Sequence, residues 1–351
     1  MKQFLFKYTF VTIFIFLFMN FFLNSYAQDS SKVKNTLVDS LQASDTTMPF
    51  VPASQFTYAD NKRYTIDGSL PLLKTKFRPT TASIIGGIYL GTLVGLHFHQ
   101  QNAWWSNNRG NFHFEEDWSF ALQVDKAGHF YGGYLTSYFL SEGLIASGVN
   151  WDDANIYGSA FALLYQTYVE TEDGFARDWG FSPSDWYFDA LGPVYFLAQH
   201  FVPVLQNITP KWQYVPSEWT GKPKIARPRT FIDDYNSSTF WYSIKMYNII
   251  PKSMEKYWLP WLNIAVGYGA DAIDAQVDPN NPPDQLAHRR FVIGLDYDLV
   301  SLLPDGGHFW NWFRQTLNYI KLPAPAVEFS SGKTRFYILY PFQINLGGIH
   351  F

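Results

Sequence analysis

The residues that could do chemistry stand in two polar clusters with an apolar segment between them. The first cluster holds Asp125 and His129, and the second runs from Glu170 to Asp189. Asp125 and His129 are four residues apart, so on a helix they share one face. The apolar segment between the clusters is long enough for the chain to fold back, so that the second cluster can lie beside the first. We therefore expect one shared site, formed by Asp125, His129, Glu170, Asp173, Arg177, Asp185 and Asp189.

These side chains suit acid–base chemistry beside a charged head group. An imidazole titrates near neutral pH and a carboxylate can fix its tautomer, so His129 with Asp125 is a candidate catalytic pair with His129 as general base. Arg177 is a candidate for holding a phosphate through two parallel hydrogen bonds. This interpretation predicts an interfacial hydrolase or transferase acting on lipid or peptidoglycan-precursor head groups.

The remaining carboxylates are candidates for head-group or ion binding. Hard divalent cations take carboxylate oxygens as ligands, so a divalent cation is compatible with this set. The sequence shows no zinc motif, since it has no cysteine and its histidines outside the site are scattered, and it shows no nucleotide motif. The carboxylates in question are Glu170, Asp173, Asp185 and Asp189.

A structural role explains the same residues equally simply. Charges in a low-dielectric helical bundle persist only when they are paired, so the two clusters would form one satisfied network that locks the helix ends. Ser182 and Ser184 fit a helix start, with Ser182 as N-cap and Pro183 in the first position, better than they fit a nucleophile. The sequence leaves the catalytic and the structural interpretations open.

Four apolar segments are predicted to be helices that position these residues. The first helix along the chain, Thr81–His99, has no charges and places Gly87, Gly91 and Gly95 on one face, which permits close helix approach in lipid. The other three span Trp118–Ser147, Trp151–Glu170 and Ser182–Phe201. The pattern predicts a bundle of about four apolar, membrane-associated helices over residues 58–205.

Composition favours a protein that contacts lipid. Aromatic residues make up 19% and charged residues only 16% of the chain, and Trp and Tyr collect at membrane interfaces. The net charge of -4 gives no basic footprint, so nucleic acid is not an expected partner. The absence of cysteine excludes disulfides, thiolate metal sites and a lipid-anchored cysteine within this sequence. The expected partners are membrane lipid and other envelope proteins.

The first residues have the pattern of a secretory signal. Lys2 and Lys7 precede an apolar run, and Ser25-Tyr26-Ala27 predicts cleavage before Gln28, with an uncleaved anchor helix as the alternative. Residues 28–57 are rich in polar residues and are predicted to form a disordered linker.

The last part of the chain changes from helical to alternating periodicity. Residues 206–230 contain four prolines and are predicted to be an irregular connection, followed by a β-rich domain over 231–351. About four strands with period two are visible, fewer than the roughly eight of a closed membrane barrel. They are predicted over Phe240–Tyr247, Leu262–Tyr268, Phe291–Leu299 and Phe336–Leu346. The predicted class is therefore α+β, with the helical bundle followed by an antiparallel sheet or partial barrel. Phe309–Ile320 is predicted to be an amphipathic helix, 278–283 an exposed turn, and the terminal Phe351 either a barrel-type end or an ordinary edge.

The helical part resembles a known family. Asp125-Lys126-x-x-His129-Phe130, followed by Asp173-Gly174-Phe175 and Trp179-Gly180-Phe181-Ser182-x-x-Asp185, resembles the YfiM-like predicted periplasmic or outer-envelope proteins, and the same skeleton is similar to the VanZ-like membrane proteins. The resemblance covers about residues 81–205. It implies an envelope location and a helical bundle, and it implies no established activity.

The sequence therefore predicts an exported protein of the cell envelope, in the outer membrane or on a periplasm-facing membrane surface. Its activity is uncharacterised, and a structural role or a place in an envelope assembly is the first hypothesis. The interfacial hydrolase or transferase is the alternative.

Overall fold

The structure is a computed structural model that describes residues 49–220, 230–273, 287–346 and 349–350. The predicted signal (1–27), most of the predicted linker (28–57), the turn at 278–283 and Phe351 lie outside the described residues. Residues 49–57, the end of the predicted linker, pack on the helices: Phe56 is buried and its ring meets that of Trp151 edge to face.

Four long helices form the first half of the described chain. They are α1 (Pro79–Gln100, continued by a π-helical turn Gln101–Trp105), α2 (Val124–Ala146), α3 (Trp151–Gly174) and α4 (Pro183–Phe201). The Asn150 side chain accepts the N–H of Asp153 at the start of α3, and Ser182 accepts that of Asp185 at the start of α4. These caps satisfy N–H groups that have no partner within the helix. The predicted helices are present, and α3 continues beyond its predicted end at Glu170.

Glycines allow α4 to pack very closely on α2. A Cβ atom built on Gly192 of α4 would lie 2.2 Å from the backbone oxygen of Phe130 and 2.7 Å from the nitrogen of Tyr134. On α2, a Cβ atom on Gly133 would lie 2.8 Å from the backbone oxygen of Asp189. Because these neighbours are backbone atoms, a side chain at either glycine could fit only if the two helices shifted apart as units. This contact fixes α4, and with it the acidic residues of its first two turns, against α2.

Six antiparallel strands form one sheet in sequence order. They are β1 (Ile208–Tyr214), β2 (Ser238–Ile244), β3 (Leu262–Asp271), β4 (His288–Tyr297), β5 (Ala326–Ser330) and β6 (Lys333–Tyr337). The α+β class and the antiparallel sheet are confirmed. Strands β2, β3 and β4 match three of the predicted strands.

Two predictions for the β-rich part need correction. The region 206–230, predicted to be an irregular connection, contains β1, and Pro210 fits there because a strand with only one strand neighbour tolerates proline. The single last strand predicted over Phe336–Leu346 is instead β6, which ends at Tyr337, and a short pair of Asn345–Leu346 with Ile349–His350. Pro341 interrupts the predicted strand because it has no N–H to donate to a neighbour.

Shorter elements connect the long ones. The helix α5 spans His308–Leu317, close to its predicted position. The remaining elements are a strand pair of Thr57–Tyr58 with Asn61–Lys62, the α-helical turns Met246–Ile249, Lys252–Glu255 and Leu299–Leu302, and the 3-10 turns Phe120–Gln123, Pro203–Asn207, Ser217–Thr220 and Tyr235–Ser237.

Helix α2 joins the helical part to the sheet. The ring of Tyr131 lies 6.0 Å from that of Phe240 on β2, and its hydroxyl donates to the backbone oxygen of Tyr319 at 2.7 Å. The backbone N–H of Trp212 also donates to the oxygen of Tyr319, at 3.1 Å, so the side of β1 away from β2 is hydrogen-bonded to the segment that follows α5. Both halves of the chain therefore pack on one helix.

The prediction of about four membrane-associated helices was too high. Among the described residues one helix, Pro79–Trp105, is long and apolar enough to cross a membrane by length and composition, with mean hydropathy 1.4 over its most apolar window, of which 6% is buried. Helices α2, α3 and α4 are each interrupted by ionisable residues whose side chains are buried within the protein. Because these ionisable side chains are buried within the protein, the three helices are core helices of the protein.

We expect Gly192→Ala to destabilise the protein by roughly 1–3 kcal/mol, since the added methyl group overlaps the backbone of α2. The measurement is the unfolding temperature in detergent. The matched control is Gly91→Ala on α1, where a built Cβ meets nothing within 4 Å and alanine is the better helix former. Equal effects of the two changes would contradict the close packing of α4 on α2.

Candidate functional site

Lys126 lies at the centre of the site, in the first turn of α2. Its buried ammonium lies 2.5 Å from Asp117, 3.0 Å from Asp125 and 2.6 Å from Asp185. These three carboxylates come from the loop before α2, from α2 itself and from α4. The burial of one cation among them links the starts of both helices to that loop.

The imidazole of His129 lies one helical turn further along α2 and faces four carboxylates. Its Nδ1 lies 3.0 Å from Asp189 Oδ1 and 3.7 Å from Glu170 Oε1. Its Nε2 lies 3.5 Å from Asp125 Oδ1 and 3.6 Å from Asp185 Oδ1. The structure thus brings together five of the seven residues singled out in the sequence, and Asp189, rather than Asp125, is the nearest partner of His129.

The other two residues stand apart from the imidazole. Asp173 accepts a hydrogen bond from the indole N–H of Trp105 at 2.7 Å. Arg177 is exposed, its side chain lies against Gly110, and within the described residues it forms no ion pair. A different arginine, Arg109, pairs with Glu172 at the end of α3. The predicted role of Arg177 in holding a phosphate beside His129 has no support in this geometry.

Four further residues complete the site. The hydroxyl of Tyr235 donates to Asp125 at 2.5 Å, Gln166 donates to Asp189 at 2.6 Å, and the Ser182 hydroxyl donates to Asp117 at 2.6 Å. Asp117 ends the acidic run Glu115-Glu116-Asp117, which is visible in the sequence, but the sequence gives no sign that Asp117 contacts Lys126. Tyr235 comes from the segment before β2, and no spacing rule connects it to Asp125.

Burial and mutual repulsion decide which groups carry charge. The pKa of His129 is raised because the surrounding carboxylates stabilise the imidazolium more than burial destabilises it. Burial raises the pKa of Asp185 to about 8 and that of Asp173 to about 7, and it holds the pKa of Glu170 well above its usual range. The pKa of Asp125 is lowered, because His129 and Lys126 outweigh its burial. So many buried carboxylates around two cations cannot all ionise, and some retain a proton near neutral pH.

Among the residues that the structure describes, two donor sets have atoms close enough to share a metal ion. They are Asp125, His129 and Asp185, and His129, Glu170 and Asp189, each set with ligand atoms within 4.8 Å of one another. In the first set the ammonium of Lys126 already lies between Asp125 and Asp185. A lysine in that position supplies the positive charge that a cation would supply.

A small cavity of about 40 Å³, partly open to solvent, lies away from this site. Its lining combines the segment before α1, the strands β1 and β3 and the segment after α5, and includes Tyr58, Lys211, Asn263 and Tyr319. None of the seven sequence-predicted residues lines it. The cluster around His129 is instead closed by the side chains that pair with it.

One family model matches the part of the chain that holds the site. The model is described as "Predicted periplasmic lipoprotein (DUF2279)", and it matches residues 112–198. No curated protein and no solved structure matches the chain. The match supports an uncharacterised periplasmic family for this region, and the predicted location, an exported protein of the cell envelope, is confirmed. The sequence has no cysteine to carry a lipid, and the finer likeness to YfiM-like and VanZ-like proteins stays a prediction.

We expect the protein to lose stability as the pH rises from about 4 to about 8. Asp185 and Asp173, with folded pKa values of about 8 and about 7 against 3.8 when unfolded, bind protons more tightly when folded, so their contribution decreases from about pH 4 until the pH exceeds those values. The raised pKa of His129 acts in the same direction, whereas the lowered pKa of Asp125 matters only at acidic pH.

The measurement is the unfolding temperature across this pH range for the wild type and for Asp185→Asn. The asparagine does not titrate but still accepts from Lys126, so the decrease should be smaller in the variant. Asp178→Asn, which changes an exposed carboxyl in the preceding loop, is the control and should follow the wild type. An identical decrease in all three proteins would contradict the assignment to the cluster.

Proposed function

We propose that the protein is a non-catalytic, structural component of the cell envelope that is seated on a membrane through α1. The observation that carries the proposal is that the carboxylates of the site are paired. Asp125 and Asp185 pair with Lys126, and Asp189 with His129 and Gln166. Glu170 accepts the backbone N–H of Ser182 at 3.3 Å. A network of paired charges that joins the starts of α2 and α4 to the end of α3 is what a structural role requires.

The state of His129 argues against a general base. Both ring nitrogens face carboxylates, and the raised pKa of His129 keeps the imidazole protonated near neutral pH. A protonated imidazole has no lone pair with which to accept a proton. Arg177, the expected phosphate ligand, lies apart from it.

The exposed surface of α1 supports the membrane seat. Ile84, Ile88 and Phe98 are exposed, and Cβ atoms built on Gly87 and Gly91 would meet nothing within 4 Å. A helix that is apolar all round and is not covered by its own protein suits the interior of a membrane.

The alternative is an interfacial hydrolase or transferase acting on lipid or peptidoglycan-precursor head groups. One observation favours it: the side chain of His129 remains 21% exposed beside Asp185, a carboxyl whose pKa is raised to about 8. A protonated carboxyl next to solvent can act as a general acid.

We expect Lys126→Met to remove most of the folded protein, because three carboxylates lose their cation, at a cost of roughly 3–5 kcal/mol. The triple change Lys126→Met, Asp125→Asn, Asp185→Asn removes the cation together with its two more deeply buried carboxylates, leaves the more exposed Asp117, and should restore much of the protein. The measurements are protein abundance in the envelope, envelope permeability, and the profile of lipids and precursors in cells that lack the native gene. An abundant triple variant that leaves the permeability and profile of the deletion uncorrected would support the catalytic alternative instead.

We expect the paired change Ile84→Lys, Ile88→Lys to move the protein from the membrane fraction to the soluble or aggregated fraction, because each charge costs about 2.5–3.5 kcal/mol at the centre of a membrane helix. The readout is membrane fractionation with a carbonate wash. Thr80→Lys, a charge at the first turn of the same helix, is the matched control and should stay with the membrane. Retention of the paired variant in the membrane would contradict a seat through α1.

A further inference from the structure

The side of the sheet that faces the inside of the protein carries buried charged residues beside an apolar cluster of Trp241, Val292 and Tyr337. Lys211, Arg290, Asp296 and Glu328 point to this inner face, and each is at most 2% exposed. Lys211 pairs with Asp296 at 2.6 Å, and Glu328 pairs with Arg335 at 2.9 Å. An antiparallel sheet of a water-soluble protein normally buries its apolar face instead.

The outer face is apolar in register across neighbouring strands. One row runs through Tyr242, Val266, Ile293, Val327 and Phe336, each paired with the next across strands β2 to β6. Ile293 is 51% exposed and Phe336 is 64% exposed. Because side chains alternate between the two faces with a two-residue period, the apolar outer row and the buried charges of the inner face both extend across several strands.

A second row lies beside the first and has the same character. It runs through Phe240, Tyr268, Phe291 and Phe329, again paired from strand to strand. Helix α2 covers the end of this row at Phe240, whereas Phe291 and Phe329 remain exposed. The uncovered part of the outer face therefore lies on β3 to β6.

Charged and aromatic residues mark the two ends of this apolar band. Arg289 is the only charged residue that the described strands place on the outer face, and it lies at one end. The other end adjoins the segment before β3, where the Trp258 indole donates to the backbone oxygen of Leu262. That segment also carries Lys252, and Lys256 lies over the ring of Tyr257. Basic side chains and interfacial aromatics match the anionic head groups that border a bilayer core.

The apolar surface continues from the sheet onto the helical part. The ring of Phe130 on α2 lies 6.0 Å from Tyr242 on the sheet and 5.9 Å from Tyr195 on α4. On α4, Leu191 and Val194 are also exposed. The surface is thus larger than one sheet face.

We propose that the outer face of β3 to β6 lies against the acyl chains of a lipid bilayer, with Arg289 and the Lys252–Trp261 segment at its head-group borders. Lipid-facing sheets carry apolar residues outward and polar residues inward, as this one does. A protein–protein interface is on average only about as apolar as the rest of a protein surface, which does not match a face with one terminal charge. The inference extends the membrane seat proposed for α1 to a second, separate surface.

The absence of cysteine from the sequence allows a direct test by single-cysteine labelling. Ile293→Cys and Phe329→Cys report on the outer face, Ile88→Cys reports on α1, and Lys333→Cys is an exposed control on the inner-face register of β6. Each full-length variant is labelled with an environment-sensitive fluorophore and reconstituted into vesicles of phosphatidylcholine with a minority of phosphatidylglycerol. The same vesicles are then prepared with lipids brominated on their acyl chains, which quench on contact.

We expect brominated lipid to quench the probes at positions 293 and 329 severalfold more than the probe at position 333. Quenching at 88 without quenching at 293 and 329 would overturn this inference and leave the seat through α1 intact. The absence of quenching at all of these positions would overturn both. Protection from a water-soluble quencher without quenching by brominated lipid, together with a dimer by cross-linking, would assign the face to a second copy and would also overturn it.

Discussion

The burial of Lys126 and His129 among acidic residues is the constraint on which the rest of the helical part depends. An ammonium and an imidazolium in a low-dielectric interior require carboxylates from several directions. Those carboxylates come from a loop, from α2, from α3 and from α4. The starts of α2 and α4 and the end of α3 must therefore converge on one point. The glycine contact between α2 and α4 makes that convergence sterically feasible, and Tyr235 extends the same network to the segment that leads into the sheet.

Helix α2 carries two different kinds of contact along its length. Its first turns hold the charged network, while its aromatic residues pack on the outer face of β2. The inner face of the sheet holds buried ion pairs beside an apolar cluster around Trp241. The interior of the protein therefore contains buried charge pairs at two separate places, in addition to its apolar clusters.

The sequence was informative where periodicity and local capping act, and uninformative where distant residues meet. Ser182 and Pro183 predicted the start of α4 correctly, and the spacing of Asp125 and His129 predicted their shared face. Strand β1 was missed because Pro210 looks like a strand breaker unless its place beside a single strand is known. Asp189 as the nearest partner of His129, the exclusion of Arg177 and the contact from Tyr235 follow from helix packing. Such packing has no signature in residue spacing.

The alternation of the strands also bears on how the chain reaches its compartment. An exported protein must pass through a secretion channel, which retains long uninterrupted apolar segments and releases others. In β3 each apolar residue of the outer face is followed by a small or polar residue of the inner face, and in β4 the same holds except at Phe291, which Val292 follows, so a lipid-compatible surface exists only after the strands pair. Before pairing, no ten-residue strand presents a continuous apolar stretch. The chain therefore passes through the channel before the apolar outer face of the sheet exists, and strand pairing is the event that creates this face.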